Sequence, residues 1–309
     1  MFSNLISDTL YYHGERHMHR LVATLCGVFI VLMISLPFAA AESYETLFHA
    51  THYVGGTGPG NYSTIQAAMN NATHGDTIFV YQGTFHESTI VGKSLILIGE
   101  NKTTTVIDGD GTGYVVTLAA GHSTVSGFTI THSKKKFPLA GVYITSDHNT
   151  VSNCILTDNF YGMQLGYGTG YNLIINNTIF HNGRCGIYFD HSSNNRLIGN
   201  LVRDQPVNGF GLFEFSNNNS IINNTLMQNM YSGVNIRESY DNQVIGNTFI
   251  EDQNGFHKPS PEYHTVVRDN HFSGNVITLE EERDAAVLSV VVFDVLVVIV
   301  FLVFRKLFA

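Results

Sequence analysis

An asparagine that returns every 23 or 24 residues constrains this chain more than any other feature. It falls at Asn153, Asn177, Asn200, Asn224, Asn247 and Asn270, in the segments VSNCI, IINNTI, LIGNLV, IINNTL, VIGNTF and RDNHF. A fixed period of this length marks a solenoid, in which each repeat buries its apolar face only against its neighbours. A second element keeps the same step: GVYI at 141, GMQL at 162, GIYF at 186, GLFE at 211, GVNI at 233 and GFH at 255. Each repeat therefore carries two short strands. Around the asparagine, apolar residues alternate, as in Ile175, Asn177 and Ile179, so these three point to one side, the interior.

Leucine-rich repeats share the period but require an L-x-x-L-x-L core and a helix or helical turn per repeat, and this chain has neither. Period-2 alternation of β-branched residues predicts instead an all-β, right-handed parallel β-helix built from a single strand path. Stacked coils lie about 4.8 Å apart, so the repeated asparagines align and hydrogen-bond up a column. The composition suits this: 13% of residues are charged, there are 29 glycines and no tryptophan, a balance that favours turns and strands.

An open solenoid end invites edge pairing, so a cap is expected. Ser63 followed by TIQAAMNNA reads as a short amphipathic helix with Ser63 as N-cap and with Ile65, Ala68 and Met69 on its buried face. It precedes the first coil, formed around DTIFVYQGTF and KSLILIG.

Both ends read as membrane-directed. Residues 21–38, LVATLCGVFIVLMISLPF, follow His17, His19 and Arg20 and run into Ala39, Ala40 and Ala41, the pattern of a signal peptide cleaved after Ala41, with Met18 as an alternative start. An uncleaved anchor is the competing reading, because the run is long. Ala285 to Phe304 is apolar except for Ser289 and Asp294 and is followed by Arg305 and Lys306, as expected of a transmembrane helix with a cytoplasmic C-terminus. The expected organisation is an N-terminal extension and signal peptide over 1–41, a β-helix domain over 42–279, and an acidic linker, membrane helix and basic tail over 280–309.

A net charge of −9 disfavours phosphate backbones, so nucleic acid is not an expected partner. Lys134, Lys135 and Lys136 form a basic run beside Phe137 and Pro138 that reads as a solvated loop. Of three cysteines, only Cys154 and Cys185 follow the signal segment, and the repeat places them at different points of their coils, against a disulfide. Asn61, Asn71, Asn101, Asn176, Asn218 and Asn223 head glycosylation sequons, although the repeat generates N-N-T by itself.

With the glycine of each second strand as phase marker, the residue two positions later faces outward: Tyr143, Gln164, Tyr188, Phe213, Asn235 and His257. Such an aromatic and polar stripe can stack on sugar rings and orient them, although half-exposed strand residues of good β-propensity give the same pattern. Further along the strands, Asp190, His191, Arg237 and Glu238 are candidates for acid–base chemistry on a saccharide, with Asp190 and Arg237 separated by two coils, about 10 Å. For a soft metal such as copper, Met227 and Met230 with His181 and His191 offer thioether and imidazole donors.

The passage YVGGTGPGNYSTIQAAMNNATHGDTIFVYQGTFHESTIVGKSLILIGENKTTTVIDG, with VSGFTI after it, resembles the amino-terminal cap and first coils of pectate-lyase-like β-helix proteins. The later G-I-x-x-x-x-S-x-N-N-x-I-x-x-N coils resemble the NosD type, a family named for copper-site maturation and common among archaeal surface proteins. The likeness covers roughly residues 52–275 and rests on residues the coil itself requires. It implies the fold, and it implies copper through the family's name without a ligand motif. FDHSS at 189 is similar to the D-P-H segment of alginate epimerases, but lacks its proline. No arginine pair or acidic calcium cluster of the pectate-lyase kind stands out. The expectation is a membrane-anchored extracellular or periplasmic β-helix that binds polysaccharide or cell-envelope partners without catalysis. A polysaccharide lyase or epimerase, or a copper-binding protein, is the alternative.

Overall fold

The computed structural model describes residues 49–257 and 263–275, which form an all-β, right-handed parallel β-helix of about nine turns. The expected signal peptide and the expected C-terminal membrane helix both lie outside the described residues. Among the described residues no helix is long and apolar enough to cross a membrane.

Each complete coil carries three strands, one more than the repeat predicts. In one coil these are Leu173–Ile175, Thr178–Phe180 and Ile187–Asp190. Every strand pairs in parallel with its counterpart one coil away, which generates a first sheet of ten strands, a second of nine and a third of eight. The extra strand was hidden because the asparagine motif is two strands joined by only two residues, the first of them a left-handed turn residue. Asn176 adopts φ 57°, and its counterparts Asn153, Gly199, Asn223, Gly246 and Asp269 are also left-handed. Asn, Gly and Asp tolerate that conformation best. The turn breaks the alternation, so Ile174 rather than Ile175 is buried, together with Asn177 and Ile179.

The same turn corrects the ladder at its first rung. Asn153 is exposed in the turn, and the interior position belongs to Cys154, whose N–H donates to Asn177 Oδ1 at 2.9 Å. From there the column is continuous. Asn177, Asn200, Asn224 and Asn247 each donate their backbone N–H to the side-chain oxygen of the next asparagine, at 2.8–3.0 Å, ending on Asn270. Their Nδ2 groups donate to the same oxygens and to carbonyls of the preceding coil, as Asn200 does to Ile174 O at 2.9 Å. Buried amides left unpaired here would cost about 1–3 kcal/mol each.

Two further columns escaped the sequence reading. Asn149, Asn172, Asn195, Asn219 and Asn242 line the turn that leads into the first sheet, with N–H···Oδ1 bonds of 2.8–3.0 Å. Asn159, Asn182, Gln205, Asn229, Asp252 and Asn275 line the turn after the second sheet. Between the columns the interior is apolar. Val151, Ile174, Leu197 and Ile221 stack under the first sheet, Leu156, Ile179, Val202 and Leu226 under the second, and Met163, Ile187, Phe210 and Val234 under the third, all at 0% exposure.

The cap is a helix, α1 (Ile65–Asn71), burying Ile65, Ala68 and Met69. Its N-cap is Thr64, one residue beyond the expected Ser63, because Thr64 is the extended residue whose hydroxyl accepts from Ala67 N. The first coil braces both ends. Glu87 accepts from Ile65 N and Gln66 N at 2.8 and 2.9 Å, and Lys93 Nζ donates to the carbonyls of Asn70 and Ala72 at 2.9 and 2.6 Å. Beside it, burial would push the Asp76 carboxyl up. Hydrogen bonds from Thr73, His52 and Ala50 outweigh burial and hold it well below the usual carboxylate range.

Cys154 and Cys185 are free and buried. Burial pushes the Cys154 thiol up to about 11 and also raises that of Cys185, so both stay protonated.

Candidate functional site

The outer face of the third sheet carries the stripe expected from the sequence, with one change of register. Tyr143, Gln164 and Tyr188 are successive partners across the sheet, but the next partner of Tyr188 is Gly211, followed by Asn235 and His257. The phase-marking glycine of that coil is Gly209, not Gly211. Gly162, Gly186, Gly209 and Gly233 form a column in which coils approach so closely that a methyl group at Gly162 would sit 2.6 Å from Gly186 O. Phe213 therefore pairs with Asp190. Its ring nevertheless leans back over the space left by Gly211, 5.6 Å from the Tyr188 ring centroid. Gln164 and Asn235 are buried rather than outward-exposed, at 3% and 5%.

Stacked phenols roof part of this face. Tyr114 lies 4.2 Å from Tyr143 and Tyr161 lies 4.7 Å from Tyr188, both pairs nearly parallel. Burial pushes Tyr114 and Tyr188 up to about 12, the latter aided by the charges of Asp190 and Glu214. Both phenols therefore stay protonated near neutral pH.

Next to them opens a cleft of about 430 Å³, lined by Arg184, Tyr188, Phe213, Asn235, Tyr231 and Arg237, with Glu214 and Glu238 at its edge. Two arginines face two glutamates, so the cleft is nearly balanced in charge. Asn208 and Asn235, also in its lining, each keep a buried amide oxygen without a hydrogen-bond partner among the described residues. Buried acceptors of this kind are rare and call for an explanation.

Asp190 and His191 lie at the rim. His191 turns back through a left-handed residue (φ 50°), which brings its Nδ1 to 2.8 Å from Asp190 Oδ1 and 3.7 Å from Glu214 Oε2. Arg237 follows Ile236, the partner of Leu212, and so falls in the same column as Asp190 and Phe213, two coils from Asp190. Glu238 lies 3.9 Å from Arg237.

The sequence reading missed a second row of rings along this rim. Tyr167, His191, Phe215, Tyr240 and Tyr263 follow one another over five coils, with centroids 4.7, 5.9, 6.5 and 5.0 Å apart. Tyr167 is 78% and Phe215 56% exposed. The spacing of about one coil per ring was the available signal, obscured because the rings sit in turns of unlike sequence.

The thioether and imidazole donors do not converge. His181 and Met227 belong to the second-sheet side, whereas His191 follows a third-sheet strand, and Met230 is a separate exposed side chain. Imidazole and carboxylate donors converge in two places among the described residues, at Asp190, His191 and Glu214 and at His86, Asp108 and Asp110, in each case with ligand atoms within 4.8 Å.

A family model described as "Periplasmic copper-binding protein (NosD)" matches residues 69–287. No curated protein matches the chain. Among solved structures, an alginate lyase from Paenibacillus sp. str. FPU-7 is similar with a TM-score of 0.58 at 15% identity, over 74% of this chain and 98% of that one. The pectate lyase Pel9A gives 0.54 at 18% identity, over 74% and 77%. At these identities the likeness is one of fold.

Proposed function

We propose a binding role, starting from the premise that this chain belongs to the NosD family of periplasmic β-helix proteins. In this reading the domain works outside the cytoplasm, delivered by the apolar segment over 21–38 and held by the apolar segment after residue 284. Its cleft on the third sheet takes one stretch of a linear saccharide.

The observation that carries this reading is the two adjoining rows of rings, Tyr188 with Phe213 in the cleft and Tyr167 to Tyr263 along the rim, both rising with the coils. Rings stepped along a rigid sheet give a chain of sugar rings successive stacking platforms. The paired Arg and Glu side chains and the unpartnered amide oxygens of Asn208 and Asn235 suit a ligand rich in hydroxyl donors. Near-balanced charge favours a neutral or sparsely charged glycan over a polyanion.

The test is calorimetric titration of the full chain with neutral and acidic oligosaccharides, with product analysis in parallel. Removing one stacking ring costs about 1–1.5 kcal/mol, so Tyr188→Ala and Phe213→Ala should each weaken binding about tenfold. Unchanged affinity in both variants would refute the cleft as the site.

The second reading, a lyase or epimerase, is favoured by the 2.8 Å contact between His191 and Asp190 in one column with Arg237. Chain cleavage or epimerisation abolished by Asp190→Asn or His191→Ala would establish it in place of simple binding. Copper, named in the family's description, is not served by the soft donors of the chain: Met227 and Met230 do not converge with His181 or His191, and Cys154 and Cys185 are buried as thiols.

A further inference from the structure

At the turn that leaves the second sheet, the ends of three strands bring four metal-ligating side chains together. His86 closes the strand Gly83–His86, and Asp108 closes Thr105–Asp108 as its partner in register. The next strand contributes Thr131 opposite Asp108, and His132 follows in a left-handed turn (φ 58°). Asp110 also adopts a left-handed conformation (φ 50°), which returns its side chain to the cluster. His86 Nδ1 lies 2.9 Å from Asp110 Oδ1, and His132 Nδ1 lies 2.9 Å from Asp108 Oδ2. The backbone N–H of Asp110 donates to the other oxygen of Asp108 at 3.0 Å.

We infer that His86, Asp108 and Asp110 form a divalent transition-metal site, oriented by His132, with Cu(II) as its preferred ion. One nitrogen and two carboxylate oxygens lie within 4.8 Å of one another, a spread that a small closure brings to ligand distance from one central ion. His132 holds Asp108 through its second oxygen, the kind of contact that fixes a ligand's direction. Asp108 is well shielded, with 14% of its side chain exposed, whereas His86 and Asp110 are about half exposed. The cluster opens on a hollow of about 560 Å³ whose wall includes Gly111, Ser133 and Lys135, leaving room for water or a ligand from a partner. Lys135, the one cation in that wall, directs its ammonium to Asn159 O at 3.2 Å. The two carboxylates offset the charge of a divalent ion.

The donor set selects among metals. Imidazole disfavours Ca²⁺ and Mg²⁺, which take oxygen ligands. The absence of thiolate or thioether donors from the set disfavours Cu(I). For a mixed nitrogen and oxygen site the divalent order peaks at Cu(II), ahead of Zn(II). The inference does not rest on the saccharide reading, since no residue is shared between the two sites.

The experiment titrates the full chain with CuSO₄, followed by calorimetry and by electron paramagnetic resonance. The wild type should bind one more equivalent of Cu(II) than the His86→Ala/Asp110→Asn double variant, with nitrogen hyperfine structure in the signal of that equivalent. His191→Ala, in the other cluster, should leave the stoichiometry unchanged. Zn(II) should compete for the site and Mg(II) should not. Thermal unfolding without metal tests whether the double variant is folded, and His86→Gln with Asp110 intact serves as the milder variant if it is not. Equal stoichiometry in wild type and folded variants, loss of the equivalent in His191→Ala, or displacement by Mg(II) would each overturn the assignment.

Discussion

Replacing Asp252 by Asn should stabilise the protein at neutral pH and remove a pH dependence. Asp252 occupies the third column, where every other member is an amide. Its Oδ1 accepts from Asn229 N and Nδ2 at 2.8 and 2.7 Å, while its buried Oδ2 has no partner. Burial raises its pKa from the ordinary 3.8 to about 7, only partly offset by the two Asn229 hydrogen bonds. Because the folded protein holds this proton more tightly than the unfolded chain, the contribution to stability is complete below pH 3.8. It is lost as pH rises through about 7. At about 1.36 kcal/mol per pH unit, the penalty of ionising Asp252 in the fold reaches about 4 kcal/mol by pH 8. An amide at this position would also donate to a carbonyl of the preceding coil, as Asn182 does to Leu156 O and Asn275 to Phe249 O. Urea midpoints of wild type and Asp252→Asn, measured from pH 4 to pH 8, provide the assay. The two curves should lie close together near pH 4 and diverge as pH rises, with the variant more stable by up to about 4 kcal/mol. Parallel curves over that range would refute the reasoning.

Asn200→Leu leaves Asn177 N–H and Ile174 O without their partners and should cost about 2–6 kcal/mol. Asn235→Leu removes a side chain whose oxygen is already unpaired and should cost less than 1 kcal/mol, as read from denaturation midpoints. Glu87→Ala uncovers two N–H groups at the start of α1, and should lower stability by about 1–3 kcal/mol, with the loss visible as faster amide exchange over Ile65–Asn71.

The coil, its period, the cap and the buried face of that cap were all legible from residue spacing. What was not legible came down to single-residue offsets. In I-N-N-T the left-handed turn and the ladder position are both asparagine, so the motif alone does not say which is which. In V-S-N-C the turn keeps the asparagine and the ladder takes Cys154. In N-G-F-G-L-F the second glycine mimics the phase marker, and only the close approach of the neighbouring coil at Gly209 identifies the first. The rows of asparagine at 149–242 and at 159–275 kept the period too, but their neighbours vary because each sits at a turn with one exposed side. The rim of rings and the His86 cluster depend on which turns stack, information that alignment of strands provides and composition does not.

The bracing of α1 has a consequence for the order in which the molecule assembles. Seven residues are too few for a helix to persist alone in water, where a nucleus costs more than so short a run returns. The groups that hold its two ends, Glu87 and Lys93, lie some twenty residues later in the chain. The lid on the solenoid therefore cannot precede the coil it covers. On a ribosome this segment waits for the next to emerge before it can close the end of the solenoid.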